Sequence, residues 1–193
     1  MKRSEINNLI DDSLRFFADH KFLLPTWAEW SVADWKKNKE SCSEIFDNML
    51  GWDLTDFGSN DFNAVGLILF TIRNGNFHNK AKYKKTYAEK IMIVREEQIT
   101  PMHFHWSKSE DIINRGGGNL VIQIYNSNKD GGFADTPVTV SIDGISKVIK
   151  AGDTVTLEPG DSILLENGVY HRFYGEKGKG RVLVGEVSTV NDD

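Results

Sequence analysis

Val138-Thr-Val-Ser-Ile-Asp-Gly-Ile-Ser-Lys-Val-Ile149 decides the fold class. Its first half alternates apolar with polar side chains, the period of a strand with one buried face. Asp143-Gly144 suits a type I′ turn, which needs positive φ at both central positions. The stretch therefore predicts a hairpin, Val138–Ile142 against Ile145–Ile149. Similar short runs lie on either side of it: Ala64–Ile72, Tyr87–Val94, Leu120–Tyr125, Lys147–Lys150, Thr154–Leu157, Ser162–Leu165, His171–Tyr174 and Val182–Val187. Turn residues separate them at Asn74-Gly75, Asp130-Gly131-Gly132 and Gly178-Lys-Gly180. Many short strands at even spacing predict a mainly β chain, a sandwich or small barrel, in preference to a parallel sheet.

The first sixty residues read differently. Ile6, Leu9, Ile10, Leu14 and Phe17 recur at helical spacing and predict a helix from about Ser4 to His20, with Pro25 ending regular structure. Ser31-Val-Ala-Asp34 and Ser41-Cys-Ser-Glu44 both have the form of a capping box. The second is the stronger signal, because Glu is the preferred acid. Ile45, Phe46, Met49 and Leu50 then supply a short apolar helix face. The expected organisation is one domain over 1–193, a helical extension at 1–60 packed on a β-barrel at 61–193.

Charge and cysteine content exclude several functions. Lys and Arg number 23 against 28 Asp and Glu, a formal net charge of −5. That balance lacks the broad positive surface that drives binding to nucleic acid or anionic lipid. Cys42 is the single cysteine, so neither an intrachain disulfide nor a thiolate cluster can form. Acidic residues interrupt the N-terminus and no signal peptide is expected. The longest apolar stretch, Ala64–Phe70, falls far short of the ~20 residues of a membrane helix. A cytoplasmic protein without membrane or nucleic-acid partners is expected.

Chemistry concentrates in Pro101-Met-His-Phe-His-Trp-Ser-Lys-Ser-Glu110. Residues i and i+2 of a strand share a face, so His103 and His105 project together, and Glu110 can return to the same point beyond a bend. His171 is a further candidate. Three imidazoles and a carboxylate suit Mn²⁺, Fe²⁺, Ni²⁺ or Zn²⁺ and leave coordination positions for water or substrate. A His-x-His pair on a surface strand is the competing explanation. The wider pattern favours the metal. His103-x-His105-x4-Glu110-x6-Gly117 resembles the first motif of the cupin superfamily, and Gly160-Asp-Ser-Ile-Leu-Leu-Glu-Asn-Gly-Val-Tyr-His171 resembles the second. Two positions depart: Glu97 stands where Gly is usual and Glu166 where Pro is usual. The resemblance implies a jelly-roll barrel with His103, His105, Glu110 and His171 as metal ligands.

A closer resemblance covers most of the chain. Met1-Lys-Arg-Ser-Glu-Ile-Asn7, the Trp27–Trp35 segment, Met102-His-Phe-His-Trp-Ser-Lys-Ser-Glu-Asp-Ile-Ile-Asn-Arg115 and Gly185-Glu-Val-Ser-Thr-Val-Asn-Asp-Asp193 are similar to the D-lyxose isomerase family. That implies a metal-dependent ketol-isomerase acting on D-lyxose and D-xylulose, and also on D-mannose and D-fructose. Mn²⁺ is the metal implied, with Zn²⁺, Fe²⁺, Co²⁺ or Ni²⁺ as alternatives, and the assembly implied is a homodimer. Longer members continue past the Val-Asn-Asp-Asp run, so pocket residues they carry beyond it are expected to be missing here. A non-haem iron dioxygenase and a non-catalytic sugar-binding cupin are the rival functions.

Aldose–ketose isomerisation moves a proton between C1 and C2. It needs a base for that proton, an acid for the oxygens and, in this class, a divalent ion to stabilise enediolate charge. Glu186 is the candidate base, because it is in phase with Val182 and Val184 on the last strand and faces the interior if they do. With the strand reversed it would be solvated. Lys108, two residues before Glu110, is the second catalytic candidate, and a nearby cation would lower its pKa. An exposed lysine in a Ser-Lys-Ser turn is the alternative. Trp106 should point to the opposite strand face. Trp27 and Trp30 are candidates to cover the barrel mouth, although packing is the commoner role. Arg115 with Gly116-Gly-Gly118 reads as a turn, since no phosphate-binding pattern surrounds it.

Overall fold

The computed structural model describes residues 1–190; the terminal Asn191-Asp-Asp193 of the last quoted motif lies outside them. Its helices are α1 (Arg3–Asp19), α2 (Val32–Asn38) and α3 (Ser43–Asp47), with a 3₁₀ turn at Thr26–Glu29. The strands are β1 (Gly51–Thr55), β2 (Leu67–Arg73), β3 (Tyr87–Val94), β4 (Thr100–His103), β5 (Glu110–Gly117), β6 (Leu120–Ser127) and β7 (Phe133–Ala134), followed by β8 (Val138–Ile142), β9 (Ile145–Ile149), β10 (Thr154–Leu157), β11 (Ser162–Leu165), β12 (Val169–Gly175) and β13 (Val182–Thr189). They form two antiparallel sheets. The larger runs β1-β2-β3-β13-β5-β11-β8-β9, and the smaller runs β10-β6-β12-β4 with β7 on β6. This is the jelly-roll architecture the cupin motifs implied.

The core lies between the sheets. Leu67, Met92, Val94, Ile112, Val182 and Val184 of the larger sheet meet Leu120, Ile122, Ile124 and Phe173 of the smaller one. A second apolar layer covers the outside of the larger sheet, where Ile68, Phe70, Ile91, Ile93 and Leu183 pack on Phe16 and Phe17 of α1. This accounts for the nearly continuous apolar run in β3. Ile91 and Ile93 face the helix while Met92 and Val94 face the core, so both faces are buried. Arg181 fastens the helix by lying over the Phe16 ring, 4.4 Å from its centroid, and by pairing with Asp12.

The hairpin forms as predicted. Ile142 pairs with Ile145 across a turn in which Asp143 and Gly144 have φ of 50° and 80°. Other expectations shift. The sheet recruits Gly51–Thr55, inside the first sixty residues read as helical, by pairing it with β2. The box at Ser31/Asp34 is the one that forms. Ser31 Oγ accepts from the Asp34 N–H at 3.2 Å, and the Asp34 carboxylate accepts from the Ser31 N–H at 3.0 Å. The stronger-looking box at Ser41/Glu44 does not form: Cys42 occupies the N-cap, Ser41 Oγ donates to the Asn38 carbonyl, and Glu44 is drawn off to Lys85, 2.8 Å away. Glu97, in the position where cupins usually have Gly, has φ of 56°, the left-handed region that glycine enters without steric cost.

Gly116 and Gly117 end β5 instead of forming an isolated turn. Both have positive φ, and both stand where chain elements converge. A Cβ at Gly116 would lie 2.9 Å from the His20 ring, and one at Gly117 would overlap the Arg181 carbonyl oxygen. The glycines thus let the end of α1 and the entry to β13 approach β5. Gly117→Ala is expected to destabilise the fold by about 1–3 kcal/mol, read as a lower midpoint in urea unfolding.

Candidate functional site

The smaller sheet carries the histidines. His103 ends β4, an edge strand that tolerates Pro101, and His171 sits directly opposite it on β12. His105 follows beyond the strand end, where its carbonyl accepts the Gly168 N–H at 2.9 Å. The shared position of His103 and His105 therefore does not depend on two residues of one strand, as the spacing suggested. One nitrogen from each of the three rings lies within 4.8 Å of the others. His103 Nδ1 is 2.8 Å from the Pro101 carbonyl and His171 Nδ1 is 3.1 Å from that of Val169. A carbonyl only accepts, so each Nδ1 carries a proton. Burial, with His171 adding to it, pushes the His103 imidazole down to about 4 and keeps it neutral at pH 7.

The larger sheet carries the charges. Glu110 opens β5 and turns inward with Ile112 and Asn114. Its Oε1 lies 3.0 Å from His171 Nε2, and its Oε2 lies 2.6 Å from Lys108 Nζ and 3.7 Å from His105 Nε2. Burial opposes ionisation of Glu110, yet His171 and Lys108 together hold its carboxyl well below the usual range. Glu186 faces the interior, as its phase with Val182 and Val184 predicted, and is 5% exposed. The alternative of a reversed, solvated strand is excluded. Lys108 Nζ lies 2.8 Å from Glu186 Oε1.

Lys108 is 2% exposed, so it is not a surface lysine in a polar turn. Two opposed effects set its pKa. Burial would lower it, but the carboxylates of Glu186 and Glu110 outweigh burial and hold the ammonium above its ordinary value. Lys90 was missed in the sequence. It is 7% exposed on β3, opposite Glu186, with Nζ 3.3 Å from the same Oε1. The available signal was its phase with Met92 and Val94, both core residues.

His103, His105, Lys90, Lys108, Glu110 and Glu186 line a cavity of about 760 Å³ together with Gly51, Asp53 and Thr55 of β1. The other candidates lie elsewhere. Trp27 stacks on Phe70 outside the larger sheet and Trp30 packs on Trp35, so neither covers this mouth. Trp106 is 73% exposed with its ring against Phe104. The Gly118 N–H is taken by the Arg181 carbonyl, so the glycine run offers no phosphate cradle there.

Three imidazoles converging in a partly dry site can hold a divalent metal ion. His171 Nε2 supports that fit independently. It is buried and, despite its closeness to Glu110, has no aligned hydrogen-bond partner among the described residues.

Residues 1–193 match the sequence model of the family described as D-lyxose isomerase. This chain belongs to the D-lyxose isomerase family. Two relatives named D-lyxose/D-mannose isomerase, from Serratia proteamaculans and Escherichia coli O157:H7, are each 52% identical over 194 residues, covering all of this chain and 85% of theirs. Among solved structures, L-ribose isomerase of Acinetobacter sp. DL28 in complex with L-ribose superposes with a TM-score of 0.66 at 16% identity, covering 100% of this chain and 83% of that one. The Cellulomonas parahominis L-ribose isomerase with L-ribose gives 0.63 at 16% identity over 99% and 84%. At that identity the likeness shows the fold. Family membership sets aside the dioxygenase and the non-catalytic sugar-binding module.

For this D-lyxose isomerase family chain, His103→Ala is expected to remove most bound divalent metal while leaving the β-sheet circular dichroism unchanged. Metal analysis of the purified variant checks it, and full occupancy would overturn the role of His103.

Proposed function

We propose that this sugar isomerase interconverts D-lyxose with D-xylulose, and D-mannose with D-fructose, by proton transfer through an enediol. One observation carries the mechanism: the buried carboxylate of Glu186 lines the same cavity as His103 and His105 of the three-histidine cluster, 2.8 Å from the Lys108 ammonium. His103, His105, His171 and Glu110 are the residues we assign to hold the ion. Their imidazole and carboxylate donors suit Mn²⁺ first, with Zn²⁺, Fe²⁺, Co²⁺ and Ni²⁺ as alternatives. When bound, a divalent ion supplies Lewis-acid stabilisation of negative charge on the sugar oxygens.

Glu186 removes the proton at C2 of the open-chain aldose and returns it at C1, while the O2 hydroxyl proton passes to O1, so that the C1 aldehyde becomes a hydroxyl and C2 a carbonyl. Glu110 is a poor competitor for that role, because it is engaged by His171 and Lys108. Lys108 is held protonated by its two carboxylates, so it serves the sugar oxygens as a hydrogen-bond donor and fixed positive charge. The dry setting strengthens both effects, since a lowered local dielectric weakens screening.

We also propose a homodimer acting in the cytoplasm. Large apolar side chains exposed on the helical segment, among them Leu23, Val32 and Phe46, support the assembly. The lone, buried Cys42 supports the compartment, and no helix among the described residues is long and apolar enough to cross a membrane. Light scattering should return about twice the 21.8 kDa chain mass, and the single chain mass at micromolar concentration would reject the dimer.

Glu186→Gln preserves shape and removes the proton acceptor. Turnover of D-lyxose should fall ~10²–10⁴-fold with metal content unchanged, and exchange of the C2 hydrogen with deuterated solvent should slow in parallel. A variant that isomerises and exchanges like the parent would show that Glu186 is not the base.

A further inference from the structure

Glu186 has two ammonium neighbours, and they are not equivalent. Lys108 is divided between two carboxylates, with its shorter contact, 2.6 Å, going to Glu110 and the longer, 2.8 Å, to Glu186. Lys90 approaches Glu186 from the opposite side, from β3, where the ladder places it directly across from Glu186 of β13. Both ammoniums make their approach to Oε1, yet neither contact has the alignment of a hydrogen bond to that oxygen. The charge on Oε1 is met by ammonium groups from the two flanking segments.

A lysine at this point in β3 needs an explanation. Its neighbours in phase, Met92 and Val94, belong to the core, and an ammonium among them is costly to desolvate unless it is paired. On its other side Lys90 faces Thr71, and the β2–β3 register shifts directly after that pair. Irregularities of this kind re-aim side chains beside functional sites. Lys90 also lines the cavity.

We propose that Lys90 is a positioning residue: its charge, acting across the β3–β13 ladder, fixes the Glu186 carboxylate in the orientation from which it takes the C2 proton. The inference rests on the reading of Glu186 as the base. Lys108 cannot supply this alone, because any movement toward Glu110 withdraws it from Glu186. With Lys90 in place, Glu186 stays seated while Lys108 adjusts to Glu110 and to the sugar oxygens. Lys90 itself exchanges no proton with the sugar.

Two other roles are distinguishable from this one. A lysine that binds the sugar ground state would act on KM, and one that only neutralises buried charge would act on stability. The test is a double-mutant cycle in the metal-loaded enzyme, with Lys90→Met made in the parent and in Glu186→Gln, and metal content and thermal unfolding followed throughout. In the parent, Lys90→Met should lower kcat for D-lyxose by about 10–100-fold, the scale on which small misplacements of a reacting group act, with KM within about twofold. Lys90→Arg should restore most of that loss. In the Glu186→Gln background Lys90→Met should cause no further loss, since the group it positions no longer abstracts the proton. A raised KM with unchanged kcat, or an equal fold-loss in both backgrounds, overturns the inference while leaving Glu186 as the base. Parent-like turnover by Glu186→Gln alone overturns the base reading, and this inference with it. If Lys90→Met does not accumulate as folded protein, Lys90→Gln, which keeps a donor but no charge, takes its place in the same cycle.

Discussion

The structure depends on the burial of two carboxylates and two ammonium groups on the inner face of one sheet. Glu110, Lys108 and Glu186 are each at most 5% exposed, and Lys90 only slightly more. A single such charge left unpaired costs several kcal/mol, so the four are tolerable only together. Their pairing demands one strand register. Glu186 must lie between Lys90 of β3 and Ile112 of β5, and Ser188 must lie opposite Glu110, as the ladders have it. A slip of one residue would turn Glu186 and Lys90 outward onto α1 and bring Val187 and Glu89 into the core. The charge cluster thus specifies the sheet as well as equipping it.

The rest of the fold follows from keeping that row dry. Strands β2, β3 and β13 have a second apolar face, which would be exposed without cover, and α1 supplies it through Phe16 and Phe17. The smaller sheet closes the other side and brings a different chemistry. His103 and His171, adjacent through β4 and β12, present nitrogens whose tautomers are fixed by backbone carbonyls. Imidazoles come from one sheet, carboxylates and ammoniums from the other, and the cavity between them is where they meet.

How much of this was legible in the sequence varied by residue for physical reasons. Val138–Ile149 was legible because polarity matches the face along Val138–Ile142 and the turn residues match the turn. Glu186 was legible from its phase with two valines. Lys90 carried the same kind of signal but was hidden, because β3 is apolar on both faces and alternation disappears from such a strand. β5 was hidden for the opposite reason, since its inward positions include Glu110 and Asn114, and a strand that lines a polar site does not read as amphipathic. The Ser41/Glu44 box failed through competition from Lys85, a partner remote in sequence. The partners of Lys108 were hidden for the same reason: Glu186, far along the chain, meets its ammonium together with Glu110.

The charge balance of the cluster also bears on what the ion does for the protein. Two ammonium and two carboxylate groups sum to no formal charge before any metal enters, and the histidines beside them contribute none while neutral. The barrel core, from Leu67 to Val184, is built from apolar side chains of both sheets. What the chain contributes is geometry: His103 and His171 Nδ1 atoms set against backbone carbonyls, a buried His171 Nε2 with no aligned hydrogen-bond partner among the described residues, and a Glu186 carboxylate approached by two ammonium groups. A site organised in this way loses little by reorganising its dipoles during reaction, the condition under which electrostatic stabilisation of a transition state is largest.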